Sequence, residues 1–375
     1  MQISSRITSL QESIRKISEA AAKIPDCIRF DIGQPDFATP KHIQEAAIKA
    51  IKEKEIGYTP TAGIAELRKA IADYENKKGL GLAAENIMVT NGGTGALFCT
   101  FLGLVNPGDE VIIPDPSWSP YELHIRSIGG VPKYAKFFDG KKLLLESIKS
   151  AITPKTKIIL VNSPENPTGR VASESDLKAI AELAIDKNIT IISDEVYDKL
   201  VFGNAKHYSI AKFAPENTIL VNSVSKTYSM TGWRLGWLAA PENIIKQLVK
   251  CNRVTTASPN SISQYAALAA LAGSQECVEE MRKVYEKRRD TISKRMKETG
   301  WDFIVPEGAF YAFPKVGGDS WKFAMELLQR AGVAAIPGVS FGPSGEGHIR
   351  LCFGSVNSEG INKGFDRIET YLKEL

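Results

Sequence analysis

The sequence predicts an α/β protein organised on a mostly parallel sheet, and three observations lead there. Short apolar runs bounded by turn residues recur through the middle of the chain, at 87–90, 110–113, 157–161, 189–192 and 218–221. Helix-length segments separate several of them, such as 173–186 after Gly169. Runs that are apolar throughout, alternating with helices, are the pattern of strands buried on both faces. The third observation is positional. Polar motifs follow the runs at Asn91-Gly92-Gly93-Thr94, from Asn162 to Gly169, from Asp194 to Tyr197 and at Ser223-Val224-Ser225-Lys226. Ligands collect at the carboxyl ends of parallel strands.

The elements follow in order. Residues 1–22 are amphipathic and polar-interrupted, unlike the apolar core of a secretory leader. Ile64, Leu67, Ile71 and Tyr74 recur at helical spacing. After about Ser263 long helical periodicity is expected through Glu298, then a strand-rich stretch at 301–315, a helix near 321–331, and strands around 334–336 and 348–353. This second texture predicts a smaller α+β domain.

With 375 residues, 43% of them hydrophobic and 24% charged, the chain has material for a large core. Its formal charge of +4 is small for that length. No dense basic block stands out apart from Arg282-Lys283 and Lys287-Arg288-Arg289, which read as a solvated helix face, so nucleic acid is not an expected partner. Five scattered cysteines without a CxxC pair fit reduced thiols, and four histidines without ligand spacing imply no metal. No stretch approaches the roughly 20 apolar residues of a membrane span, so the expected address is cytoplasmic.

Chemistry concentrates in the polar motifs. Lys226 closely follows an apolar run, is flanked by hydroxyls, and precedes Arg234 by eight residues. Burial lowers a lysine's pKa and makes its amine nucleophilic toward carbonyls. Ser223, Ser225 and Arg234 together suit a phosphate dianion; a Ser-rich loop with a structural arginine is the plainer explanation. Asp194 closes an apolar run, where a carboxylate is costly unless a cation meets it. It reads as a helix N-cap or as the partner of a protonated pyridine nitrogen, with Tyr197 in reach of the same ring. Asn166 is held extended by Pro167, which is either a simple turn or an amide aimed into a cleft. Gly92, Gly93 and Thr94 lie between a strand and a helix expected at 96–105, where exposed N–H groups bind anions; a capped tight turn explains them equally. Trp118 is either core or a stacking platform. Arg350, in an apolar strand, needs a carboxylate, either from an internal ion pair or from a substrate.

Taken as an ordered set, these segments resemble the class I/II aminotransferases of pyridoxal-phosphate (PLP) fold type I, and within them the aspartate aminotransferase-like group. The resemblance runs from about Ile28 to Phe353. It includes Gly33-Gln34-Pro35-Asp36-Phe37, Tyr58-Thr59, Pro107-Gly108-Asp109-Glu110-Val111, Asn166-Pro167-Thr168-Gly169, Asp194-Glu195-Val196-Tyr197, Lys226 with Arg234, Pro306-Glu307-Gly308-Ala309-Phe310-Tyr311, and Arg350.

The resemblance implies a large domain with a mostly parallel seven-stranded sheet between helices, plus the smaller α+β domain. The expected division is an N-terminal arm and part of the small domain at 1–44, a PLP-binding domain at 45–275 and a C-terminal domain at 276–375. It implies pyridoxal 5'-phosphate as cofactor, with Lys226 as the Schiff-base lysine and proton carrier and Asp194 on the pyridine nitrogen. Asn166 and Tyr197 would bind the phenolic oxygen, and Trp118 would stack on the ring. Gly92, Gly93, Thr94, Ser223, Ser225 and Arg234 would surround the phosphate. Arg350, Asn166, Trp118 and the Gly33 backbone would meet the substrate. Tyr58 would reach the phosphate of the neighbouring subunit, which implies a homodimer with shared sites.

The expected reaction moves an amino group between an L-amino acid and a 2-oxo acid by ping-pong turnover, with glutamate/2-oxoglutarate as one pair by family habit. Some aspartate-specific relatives carry a lysine where this chain has Thr94, which leaves aspartate, alanine, aromatic and broad specificity open. The rival readings are a C–S β-lyase or a synthase resembling aminocyclopropane-carboxylate synthase, which share the cofactor residues. A regulator using this fold would be expected to carry an additional N-terminal DNA-binding domain, for which the motifs beginning by Gly33 leave no room.

Overall fold

The computed structural model describes residues 3–8, 10 and 13–374; positions 1, 2, 9, 11 and 12 of the expected N-terminal arm lie outside them. Its centre is a seven-stranded sheet in the order Ile87–Thr90, Gly236–Ala239, Thr218–Ser223, Thr190–Asp194, Thr156–Asn162, Glu110–Pro114, Val131–Ala135. Every neighbouring pair is parallel except those made by Gly236–Ala239, which runs antiparallel to both its neighbours. The five apolar runs all became strands of this sheet. They are almost wholly buried, because helices cover both faces.

Two sheet members had no clear signal. Val131–Ala135 is an edge strand containing Pro132 and only partly buried, and Gly236–Ala239 is four residues long. Helices Ala65–Asn76 and Glu174–Asp186 match the expected segments. The second starts at Ser173, whose hydroxyl accepts from the Asp176 N–H while the Asp176 carboxylate accepts from the Ser173 N–H at 3.1 Å, a reciprocal cap.

Several expectations need correction. The helix after Thr90 begins at Gly92, not near 96, so Gly92-Gly93-Thr94-Gly95 forms its first turn. The long periodicity after Ser263 is two helices, Ser261–Ala272 and Glu276–Glu298, broken at Gly273. The stretch 301–315 contains only the short strand Tyr311–Ala312 and isolated bridges; its apolar residues pack as loop into the core rather than pairing. Arg288 does not lie on a solvated face. It is 5% exposed and grips Asp36 with both terminal nitrogens, at 2.9 and 2.8 Å.

The C-terminal part surrounds a three-stranded antiparallel sheet of Tyr311–Ala312, Ile349–Cys352 and Ile336–Pro337. The N-terminal segment joins it: Ile28–Arg29 pairs in parallel with Val333–Ala334, and Phe30 enters the same apolar cluster as Tyr285, Phe353 and Phe365. Among the described residues no helix is long and apolar enough to cross a membrane.

Candidate active site

The carboxyl ends of the parallel strands and the start of Gly236–Ala239 open onto one cavity of about 460 Å³, closed on the far side by 18–34 and by Tyr311 and Arg350. Of the residues singled out from sequence, all line this cavity except Gly92 and Tyr58. Tyr58 is 94% exposed on its own chain.

Lys226 sits in the turn after Thr218–Ser223, with its Nζ donating to the Gly33 carbonyl at 2.8 Å. Removal from water, with Arg350 and Arg234 adding repulsion, lowers its pKa to about 8. Asp194 ends its strand buried, at 3% exposure. Burial raises its carboxyl to about 6, against the pull of Tyr121, whose hydroxyl donates to Oδ2 at 2.6 Å. The segment that follows divides by face. Asp194 and Tyr197 line the cavity, while Glu195 and Asp198 turn away to a buried lysine, Lys78, at 2.9 and 2.8 Å. Glu75 meets the same amine at 2.7 Å. Burial pushes Glu75 upward, whereas Lys78 and His207 hold Glu195 below the usual carboxylate range. The cavity-facing pair is thus held from behind.

At the other end, Arg234 adopts a left-handed backbone (φ 53°) that carries its guanidinium over Gly92. A Cβ on Gly92 would come within 2.7 Å of Arg234 Nη2, and one on Gly236 within 2.5 Å of the Gly92 and Gly93 backbone. The helix Gly92–Leu104 starts without a side-chain cap, and the Asn91 Oδ1 finds no partner. Gly93 lies beside Ser223, which caps the Ser225 N–H. Uncapped N–H groups, two hydroxyls and an arginine that makes no ion pair among the described residues are an anion cradle.

The sequence left open an internal ion pair or a substrate carboxylate for Arg350. It is 3% exposed, donates to Asn166 Oδ1 at 3.2 Å and to the Asp31 carbonyl at 2.9 Å, and leaves Nε unpartnered. Among the described residues no acid pairs with it; it lies against the rings of Tyr311 and Phe341 instead. A buried guanidinium without an acid calls for an anion from outside.

Asn166 is fixed by its N–H on Asn162 Oδ1 at 3.0 Å, and the Tyr197 hydroxyl meets that of Tyr311 at 2.8 Å. Trp118 stands edge-on to Tyr121, 5.2 Å between centroids. The sequence reading missed Tyr121 and Tyr311 as site residues. Tyr121 follows Trp118 by one helical turn, and Tyr311 lay within a motif already quoted, so both had a signal. Ser18, Arg29 and Asp31 had none.

The residues fit pyridoxal phosphate: an anion cradle at one end, a buried carboxylate at the other, and between them a lysine amine of lowered pKa. Among the described residues no group of three or more His, Cys, Asp or Glu is placed to hold a metal.

Comparison with known proteins agrees. The sequence model described as aminotransferase class I and II matches residues 25–368. The chain is 42% identical to the probable N-acetyl-LL-diaminopimelate aminotransferase of Bacillus subtilis, over 96% of this chain and 92% of that one. It is 40% identical to an aspartate aminotransferase of Pyrococcus horikoshii, over 99% and 97%. The solved aspartate aminotransferase of Thermus thermophilus with maleate superposes with a TM-score of 0.94 at 35% identity, covering 99% of both chains. A cavity with these residues, in a chain matched along almost its whole length, belongs to a PLP-dependent enzyme of the class I and II aminotransferases, fold type I.

Proposed function

We propose that this aminotransferase exchanges amino groups between several L-amino acids and 2-oxoglutarate, with residues of this cavity in the following roles. Pyridoxal phosphate, when bound, supplies an aldehyde that joins amines and a ring that takes up the electron pair left by a departing Cα proton. Lys226 is the amine that holds the cofactor and, once displaced, carries the proton. Asp194, supported by Tyr121, keeps the ring nitrogen protonated. Asn166 and Tyr197 hold the phenolic oxygen, and Trp118 covers one face. Gly93, Thr94, Ser223, Ser225 and Arg234 hold the phosphate, with Gly92 leaving room for the arginine. Arg350, with Asn166, binds the α-carboxylate.

The observation that carries this reading is Arg350, a buried cation that pairs with no acid among the described residues and lines the same cavity as the anion cradle. Substrate breadth is supported by the relatives, whose names divide between aspartate, aromatic and N-acetyl-diaminopimelate substrates. A homodimer sharing its sites is supported by exposed Tyr58 and the apolar side chains near it in sequence. The division 1–44, 45–275 and 276–375 is supported by two apolar clusters, one drawn from 47–271 except for Ile43 and Val278 at its margins, the other joining Phe30 to the C-terminal residues and meeting the large domain at Tyr197, Leu200 and Phe202. Five free thiols are in keeping with the cytoplasm.

The test is a panel of amino acids against 2-oxoglutarate with native protein and Lys226→Ala. Native enzyme should form glutamate, and the variant should lose at least about a thousandfold in kcat. Glutamate formation at native rate without this amine refutes the assignment, and pyruvate with ammonia in place of glutamate would favour a lyase.

A further inference from the structure

The cavity holds a second arginine system that none of these roles uses. Arg29, Asp31 and Ser18 line the same cavity as Lys226 and Arg350. The Asp31 side chain is fully buried, yet both its oxygens are engaged by Arg29, Nε on Oδ1 and Nη2 on Oδ2, each at 2.7 Å, and Ser18 Oγ donates to Oδ2 at 2.7 Å. Arg29 Nη2 also donates to the Ser18 carbonyl at 3.3 Å. Its remaining terminal nitrogen, Nη1, has no hydrogen-bond partner among the described residues, and the side chain stays 26% exposed on the cavity wall. Asp31 also connects the two arginines, since its backbone carbonyl accepts from Arg350 Nη2.

The charges leave one position open. Among the described residues the cavity wall has four cations, Arg29, Lys226, Arg234 and Arg350, against two acids, Asp31 and Asp194. If Arg234 meets phosphate, Lys226 the cofactor and Arg350 the α-carboxylate, Arg29 is the one cation left to meet a substrate side chain. We infer that Arg29, oriented by Asp31 and Ser18, is the receptor for the far carboxylate of a dicarboxylic substrate, presenting Nη1 to it. This inference rests on the aminotransferase reading above.

The pairing with Asp31 explains how one cavity serves two substrates in alternation. An unpaired guanidinium would be left uncompensated whenever the bound side chain is apolar, which is costly at a partly buried site. Held in a fork by Asp31, Arg29 is satisfied without a ligand and still has two N–H groups to donate when a second carboxylate arrives. Asp31 thereby tempers the preference for diacids. Loss of either partner should move selectivity in opposite directions.

The experiment measures binding of glutarate and butyrate, unreactive probes differing by one carboxylate, to cofactor-loaded enzyme, alongside kcat/KM for glutamate and alanine. In Arg29→Met the glutarate-to-butyrate affinity ratio should fall at least tenfold. In Asp31→Asn it should rise several-fold, and Arg29→Lys should lie between Arg29→Met and native. The glutamate-to-alanine ratio should follow. Should Arg29→Met not fold, Arg29→Lys and Asp31→Asn decide the matter, because their opposite shifts are not produced by general loosening. Ratios within twofold of native in the folded variants overturn the subsite and leave the aminotransferase reading intact. Arg29-dependent glutarate binding by an enzyme that transaminates nothing on the panel would do the reverse.

Discussion

In the role proposed for it Asp194 must be ionised to hold a proton on a ring nitrogen, yet burial raises its pKa to about 6, and Tyr121, with a smaller pull from Lys226, draws it back. Without ligand, a carboxyl whose folded value exceeds its unfolded one stabilises the protein most below the unfolded value, and that contribution is lost as pH rises through about 6. Cofactor binding has the opposite sign, since it needs the carboxylate. Affinity for pyridoxal phosphate should therefore strengthen as pH rises through about 6. Tyr121→Phe removes a hydrogen bond to a charged group worth about 1.5–3 kcal/mol, so it should move that midpoint upward and lower kcat about tenfold. A titration of cofactor binding against pH in both proteins checks this; coincident midpoints would remove Tyr121 from its role. Lys226 adds a second, more alkaline limb. With its pKa lowered to about 8, the rate of aldehyde capture by apoenzyme should level off above that value rather than keep rising toward that of a solvated lysine.

At the scale of elements, the cradle depends on a strand and a helix start touching through glycine. Gly236 begins the antiparallel strand and packs on the backbone of Gly92 and Gly93, where an added Cβ would stand 2.5 Å from main-chain atoms. Backbone cannot give way as a side chain tip can. Gly236→Ala should destabilise the protein by about 1–3 kcal/mol through overpacking and weaken cofactor affinity more than a variant of equal stability elsewhere. Thermal unfolding and cofactor dissociation measured together test it; a normal dissociation constant would show the contact to be without consequence for the cradle. The motif Gly92-Gly93-Thr94 was legible in the sequence. Gly236 was not, because its meaning lies in a neighbour more than a hundred residues away.

For the whole molecule, the proposed dimer can be tested at exposed apolar residues. Tyr58, Ile48, Ile51, Ile56 and Val254 are 41–94% exposed, more apolar side chain than isolated surface residues account for if they form one patch. If they meet a second copy, Ile51→Glu with Val254→Glu should convert a dimer to monomers in sedimentation and lower cofactor occupancy, since Tyr58 then loses the neighbouring phosphate. A variant that stays dimeric and fully loaded would place the interface elsewhere.

The sequence by itself determined five of the seven strands of the central sheet and the motifs at their ends. Strands buried on both faces must be apolar throughout, and residues that do chemistry must interrupt that pattern where the strands end. Lys226, Asp194, Asn166 and Tyr197 were readable as candidates for this reason, whereas Arg234, ahead of a strand, and Arg350, within one, stood out as charges in the ordered set of motifs. Only the tertiary structure decided that Arg350 meets no acid among the described residues while Arg29 does, and that Glu195 and Asp198 face Lys78 rather than the cavity. A charged residue looks the same in a sequence whether its partner is protein, substrate or water. Which of these it meets is fixed by the packing of segments far apart along the chain.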